Sequence, residues 1–319
     1  MVKTNSIKAW LLASRPKTLA GAVAPVLVGG AVAIAETDYA HFPTLSPYLT
    51  LSLCLLFAIL MQIDANFIND YFDFKKGADR EDRLGPQRAC AQGWLTPRAM
   101  QCGIAITTVL SCLTGIAILL IHLQWELLIV GILCVLFCFL YTTHLSYLGW
   151  GDLLVLIFFG IVPVVFTYYV MTDGGWHIPL FIASIAMGLA TDNLLMVNNY
   201  RDRHQDQISE KRTIVVRIIA AQQHRLGQKK GLKEGEEICL DIYLWIGILS
   251  TLLAITALFL HPCSSIRYPF MLIYLILHFK TFQQLKTLDG RALNQVLGTT
   301  ARNIFLFGLL LAISFLVRS

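Results

Sequence analysis

Residues 48–73, YLTLSLCLLFAILMQIDANFINDYFD, form a nearly continuous apolar run that closes on Asn66, Asp70 and Asp73. About twenty apolar residues rise roughly 30 Å as a helix, the thickness of a bilayer's hydrocarbon core. At about 100° per residue, Asn66, Asp70 and Asp73 fall within an arc of about 60° on one helix face. Carboxylates at a helix C-terminus oppose the dipole by roughly 0.3–1 kcal/mol. An ionisable group at membrane depth costs a further ~2.5–3.5 kcal/mol on insertion scales. Marking a helix end in the headgroup region is the plainer role for such residues, but Asn66 still belongs to the apolar run. A bound cation removes both conflicts, so this face is predicted to hold a divalent metal.

The same pattern of apolar runs extends along the chain. Spans are predicted at about 18–35, 48–69, 99–121, 125–142, 152–172, 177–199, 239–260, 266–284 and 301–317, about nine in all. Of the 319 residues 56% are hydrophobic and 14% charged, against roughly a quarter charged in soluble domains. The fold class is therefore an all-α, polytopic membrane helix bundle. Residues 1–319 read as one transmembrane domain, with polar loops at about 73–98 and 201–237. The first run has no short core or small-residue cleavage site, so it is predicted to be a retained span. Within the second loop, Gln222 to Glu237 is polar, Gly-containing and without apolar periodicity, and is expected to be a mobile surface excursion.

Of the 25 Lys and Arg, all but Arg267 and Arg318 fall on one side of this topology. The positive-inside rule then places the N-terminus and both polar loops in the cytoplasm and the C-terminus outside. The net charge of +5 is explained by topology and calls for no nucleic acid. The eight cysteines form no CxxC pair and are expected to pack as small apolar residues.

A second cluster, NNYRDRHQD at 198–206, ends the sixth span. Asn198, Asp202 and Asp206 share a face at about 0°, 40° and 80° if helix continues past Tyr200. Mg²⁺ is held by such sets, a few carboxylate oxygens completed by substrate phosphates and water. Basic residues follow each cluster: Lys75, Lys76, Arg80, Arg83 and Arg88 after the first, Lys211 and Arg212 after the second. The Gly-Pro turn of RLGPQR (83–88) can fold Arg83 and Arg88 back over the carboxylates, and a planar guanidinium fork suits phosphate. Metal carboxylates with cationic side chains at a membrane mouth point to a diphosphate. The apolar bundle around them points to a long hydrocarbon attached to it.

Together these residues resemble the UbiA superfamily of intramembrane prenyltransferases, and most closely its 1,4-dihydroxy-2-naphthoate branch. The strings that carry the resemblance are RPKT (15–18), NFINDYFDFKKGAD (66–79) with RLGPQR (83–88), GWGDLLVLIFFG (149–160), and DNLLMVNNYRDRHQD (192–206) ending in KRT (211–213). Three positions depart from the superfamily pattern. Gly77 stands at the end of the first motif, with Asp79 two residues later; Glu210 precedes KRT; and Leu145 stands four residues after Tyr141 where a Lys is usual.

The resemblance implies a central lipid-accessible cavity within the helix bundle. It also implies transfer of a polyprenyl group from polyprenyl diphosphate to 1,4-dihydroxy-2-naphthoate in a bacterial cytoplasmic (inner) membrane. CO₂ and diphosphate are lost, and demethylmenaquinone forms. In this scheme Asp70, Asp73, Asp202 and Asp206, with Asn66 and Asn198, hold Mg²⁺ against the diphosphate. Arg83, Arg88, Lys211 and Arg212 stabilise the departing charge. Tyr71, Tyr141, Tyr147, Trp150 and Tyr200 are candidates to shield an allylic cation. Arg15, Lys17 and Tyr141 are candidates to meet the acceptor, the first two through its carboxylate. A 4-hydroxybenzoate or other aromatic prenyltransferase is the alternative within the class. An ion-coupled secondary transporter fits less well, because its sites lie near the midplane and these clusters lie at one face.

Overall fold

The computed structural model describes residues 2–37, 46–77, 83–172, 174–261 and 269–317. Asp79, Arg80, Cys263, Arg267 and Arg318 lie outside the described residues. The described chain is a helix bundle: α1 Ile7–Ala13, α2 Pro16–Glu36, α3 Pro47–Lys75, α4 Pro97–His122, α5 Glu126–Leu148, α6 Gly151–Thr172, α7 Ile178–Ile208, α8 Ile214–Leu226, α9 Gln228–Leu260, α10 Pro269–Thr287 and α11 Leu293–Leu316. Eight of these segments are long and apolar enough to span a bilayer. The ninth expected span corresponds to α10, which carries Lys280 and falls short on composition, yet buries Met271, Tyr274 and Phe282 against its neighbours.

Several sequence features set the joints. Ser6 caps α1, its hydroxyl accepting the Ala9 amide at 3.3 Å, and Ile7 and Leu11 project outward from this short helix. Arg15 then takes a left-handed conformation with φ 50° and turns the chain into α2, where Pro16 sits at the first helical position. Two helices contain π turns, Tyr141–Leu145 in α5 and Ile157–Ile161 in α6, and single π turns frequently accompany functional sites. Small residues let backbones meet, as they do in membrane bundles generally. A Cβ on Gly160 of α6 would lie 2.6 Å from the Gly188 Cα of α7.

The stretch expected to be a mobile excursion is helical. Gln222 to Glu237 spans the end of α8 and the start of α9. The helices double back at Gly227, which has φ 81°, and Gly231 and Gly235 face α8 so closely that a Cβ would meet the Gln222 carbonyl oxygen at 2.3 Å and the Ile219 Cα at 2.8 Å. The apolar periodicity is missing here because the contact is made by glycine, which leaves no hydrophobic trace.

At the end of the bundle away from the acidic clusters, Glu36 joins four elements. Its carboxylate receives the Tyr168 hydroxyl at 2.6 Å and lies 2.7 Å from His261 Nε2, with His177 Nε2 in ion-pair range at 3.0 Å. His177 also caps α7, its Nδ1 accepting the Leu180 amide at 3.2 Å.

Candidate active site

The two acidic clusters belong to helices that run on through them. α3 continues to Lys75 and α7 to Ile208, so Asn198, Asp202 and Asp206 share one face as expected. Between these helices, α2, α4, α5 and α6 enclose a cavity of about 970 Å³. Its mouth is polar, formed by Arg15, Lys17, Asn69, Asp73, Arg83, Arg88, Asn198, Arg201 and Lys211. Tyr141, Phe158 and Phe159 line its middle, and Cys112, Leu119, Leu127 and Gly131 line the far end.

The first cluster divides by side. Asn66 and Asp70 lie off the cavity wall and are buried at 2% and 1% exposure. Asn66 donates its amide to the Ser14 carbonyl at 2.9 Å and to Thr18 at 3.0 Å. The Asp70 carboxylate accepts the backbone amides of Ala89 and Cys90 at 2.8 and 2.9 Å. These two residues, expected to be metal ligands, therefore brace α3 against the start of α2 and against the 83–96 segment. Asn69 occupies the cavity position instead, its side-chain oxygen accepting from Thr142 in the α5 π turn. It stands four residues before Asp73, as Asn198 stands four before Asp202. That shared spacing was the signal available in the sequence, and Asn66-xxx-Asp70 offered the same spacing on the wrong side of the helix.

The RLGPQR segment folds back over the cavity mouth as its Gly-Pro turn suggests. Arg88 donates Nη2 to Asp73 Oδ2 at 2.7 Å. Asn294 of α11 holds the Leu84 carbonyl at 2.8 Å. Gly85 admits the Arg201 guanidinium, whose Nη2 would lie 2.8 Å from a Cβ added there.

Arg201 is the principal site residue that the sequence reading passed over. It lines the cavity and is 1% exposed. Its Nε and Nη2 donate to the two Asp202 oxygens at 2.7 and 2.6 Å, Nη2 also to Asn198 at 2.8 Å, and Nη1 to Asn294 at 2.9 Å. Such a residue is visible only in three dimensions, because an Arg beside an Asp at a basic membrane face looks like topology. Lys211 Nζ stands 3.6 Å from Asp206 Oδ1. The other Asp206 oxygen is buried without a hydrogen-bond partner among the described residues.

The remaining candidates separate cleanly. Arg83, Arg15, Lys17, Tyr141 and Tyr147 line the cavity, with Lys76 stacked over the Tyr147 ring at 4.2 Å. The Arg212 side chain is exposed and off the wall. Of the five aromatics expected to shield a cation, Tyr71, Trp150 and Tyr200 are not on the wall. Tyr71 accepts from Gln101 at 2.7 Å, and Tyr200 lies under the Arg203 guanidinium at 4.4 Å.

Asn69, Asp73 and Asn198 are on the cavity wall, whereas Asp202 and Asp206 are off it, held to the wall residues Arg201 and Lys211. Together the five can offer oxygen atoms, the ligands a hard cation takes. Among the described residues no three acidic, His or Cys side chains form a ready-made cage. That suits Mg²⁺, which keeps several waters and is held by one or two carboxylates together with substrate phosphates. The unpartnered Asp206 oxygen is a donor atom that such an ion would satisfy.

The pattern of the UbiA prenyltransferase family matches residues 22–309. The 1,4-dihydroxy-2-naphthoate octaprenyltransferase of Escherichia coli (strain K12) is 36% identical over 245 residues, 74% of this chain and 76% of that protein. The protein of the same name from Mycobacterium leprae is 30% identical over 260 residues, 79% of this chain and 85% of its own length. Among solved structures, a UbiA homolog from Aeropyrum pernix K1 superposes with TM-score 0.67 at 13% identity, covering 94% of this chain and 98% of that one. A UbiA homolog from Archaeoglobus fulgidus, bound to DMAPP and Mg²⁺, gives TM-score 0.58 at 14% identity over 95% and 99%. The helix bundle is thus a shared fold, and the chain belongs to the UbiA prenyltransferase family.

Proposed function

We propose that this protein transfers a polyprenyl group from polyprenyl diphosphate to 1,4-dihydroxy-2-naphthoate, with the cavity mouth facing the cytosol. The observation that carries this is an apolar cavity of about 970 Å³ whose mouth gathers Asp73, Asn69 and Asn198 with six cationic side chains. The relatives named for that reaction supply the acceptor.

The donor's hydrocarbon lies along the apolar wall and its diphosphate sits among Arg83, Arg88, Arg201 and Lys211. Asn69, Asp73, Asn198, Asp202 and Asp206 would hold Mg²⁺, which when bound would supply charge neutralisation for the leaving group. Breaking the allylic C–O bond leaves its electron pair on diphosphate. The prenyl cation is shielded from water by Tyr141, Phe158 and Phe159, rings that can stabilise it through their faces. The electron-rich ring carbon that carries the carboxylate attacks, forming the new C–C bond. CO₂ then departs, its bonding pair restoring the aromatic ring and giving demethylmenaquinone in its quinol form. Arg15 and Lys17, at the same mouth, can orient the acceptor carboxylate.

Purified protein supplied with a polyprenyl diphosphate, Mg²⁺ and either 1,4-dihydroxy-2-naphthoate or 4-hydroxybenzoate tests this directly. The expected result by mass spectrometry is a decarboxylated prenyl-naphthoquinol, with equimolar diphosphate and CO₂. Product only from 4-hydroxybenzoate would move the protein to the other aromatic class. Absence of diphosphate release with either would end the enzymatic reading.

A further inference from the structure

Asp73 at the cavity mouth, and Asp202 and Asp206 just off its wall, are each matched to a cation that lines the cavity. Asp73 is paired with Arg88 at 2.7 Å, Asp202 with Arg201 at 2.6 Å, and Asp206 with Lys211 at 3.6 Å. The first two pairs are scarcely wet, with guanidinium side chains 7% and 1% exposed. Arg88, Arg201 and Lys211 all line the cavity.

We propose that these three cations are exchangeable counter-ions, so that divalent metal and diphosphate occupy this site only together. The inference rests on the prenyl-transfer reading above and specifies how that site fills. A divalent ion arriving alone must draw the carboxylates from their partners, stranding three cations in a poorly hydrated mouth. A diphosphate arriving alone must draw the cations away, stranding three carboxylates beside it. A buried charge that loses its partner is strongly unfavourable, more so than the intact pair is favourable. When both ligands arrive, each carboxylate finds the metal and each cation finds phosphate oxygen, so no charge is left uncompensated.

Arg201 is built for this exchange. It keeps a hydrogen bond to Asn294 at 2.9 Å that involves neither Asp202 nor any other residue of the metal set. With Gly85 packed against its guanidinium, the fork stays in place while its anion changes from Asp202 to diphosphate. By linkage each ligand must then raise the affinity of the other by the same factor, commonly about 5–150-fold.

The test is Mn²⁺ binding to the full chain in detergent, read by electron paramagnetic resonance with and without geranyl diphosphate and with no acceptor present. Association of Mn²⁺ with geranyl diphosphate in protein-free buffer is measured separately and included in the fit. The expected result is a Kd for Mn²⁺ at least about tenfold tighter when geranyl diphosphate is bound. Arg201→Met is expected to bind Mn²⁺ alone more tightly than the wild-type chain and to lose most of that coupling. Arg88→Met is expected to do the same at the other cluster and serves if the Arg201 variant does not fold. Equal Mn²⁺ affinity with and without geranyl diphosphate in the wild-type chain, or unchanged affinity for Mn²⁺ alone in the folded variants, overturns the exchange and leaves prenyl transfer standing. A wild-type chain that binds neither ligand, singly or together, overturns both.

Discussion

The Asp70 carboxylate accepts the backbone amide of Cys90 at 2.9 Å, twenty residues along the chain and on the side of α3 turned away from the cavity. Its other oxygen takes the Ala89 amide at 2.8 Å. One side chain thereby anchors the start of the turn that follows RLGPQR, and Arg88 immediately before it reaches Asp73 on the cavity side.

Asp70 and Asp73 should therefore respond differently to the same substitution. Asp70→Asn turns one acceptor into a donor facing an amide, and hydrogen bonds to charged groups are worth about 1.5–3 kcal/mol each. The variant is expected to melt several degrees lower in detergent and to lose turnover as the arginine segment loosens. Asp73→Asn keeps the shape and removes a charge that faces the cavity. It is expected to melt like the wild-type chain while kcat/KM falls at least about 100-fold, ~2.7 kcal/mol of barrier. Thermal melts and steady-state rates on the two proteins check the division, and equal melting temperatures would return Asp70 to the cavity side.

The α8–α9 hairpin gives a prediction about stability. A Cβ at Gly231 would stand 2.3 Å from the Gln222 carbonyl oxygen, with backbone rather than a flexible side chain in its path. Overpacking of this kind costs about 1–3 kcal/mol, so Gly231→Ala is expected to lower the melting temperature although alanine is the better helix former. Lys230→Ala, one residue away and exposed, should leave it unchanged. The hairpin also carries Glu236, which holds Arg203 of α7 at 2.8 Å, so loosening it should reach the second acidic helix and reduce activity as well.

At the opposite end, Glu36 gathers Tyr168, His261 and His177 from three different elements. Glu36→Gln keeps the size and gives up both the charge and one acceptor oxygen, leaving at least one buried donor unmatched at about 1–3 kcal/mol. The expected outcome is a lower melting temperature with KM for both substrates unchanged, because no residue of this cluster lines the cavity. A changed KM would show that this end communicates with the substrate site.

Much of this architecture was legible from hydrophobic run lengths. The apolar runs located the spans, because bilayer thickness acts on single segments. What escaped depends on pairs of segments. Asn66, Asn69, Asp70 and Asp73 all lie within about a 100° arc of one helix, and only the neighbouring helices decide which part of that arc faces the cavity. Gly231 and Gly235 read as breakers until α8 is seen against them. Arg201 and Asn294 are 93 residues apart and meet across the mouth, which no local pattern encodes. The span ends were also placed short in sequence, since α3 and α7 stay helical through polar residues whose partners lie on other elements.

The far end of the cavity gives the sharpest test of what the apolar space is for. Gly131 of α5 lines it, and a Cβ added there meets nothing within 4 Å. The first carbon of a larger side chain at this position therefore has open space at the cavity wall, and replacing a helix-interior glycine gains up to about 1 kcal/mol of propensity. Gly131→Phe is expected to keep or slightly raise the melting temperature while placing a ring across the path of a long hydrocarbon. A short donor such as geranyl diphosphate reaches the polar mouth without extending that far, so its kcat/KM should stay within about twofold of wild type. Donors of many isoprene units should lose at least about tenfold, ~1.4 kcal/mol, chiefly through KM, because the obstruction acts on binding of the remote chain and leaves the reacting carbon untouched. Rates measured with a series of donor lengths on both proteins check this. Equal losses at every length would mean that the ring disturbs the mouth, and no loss at any length would mean that the hydrocarbon leaves the bundle by another route.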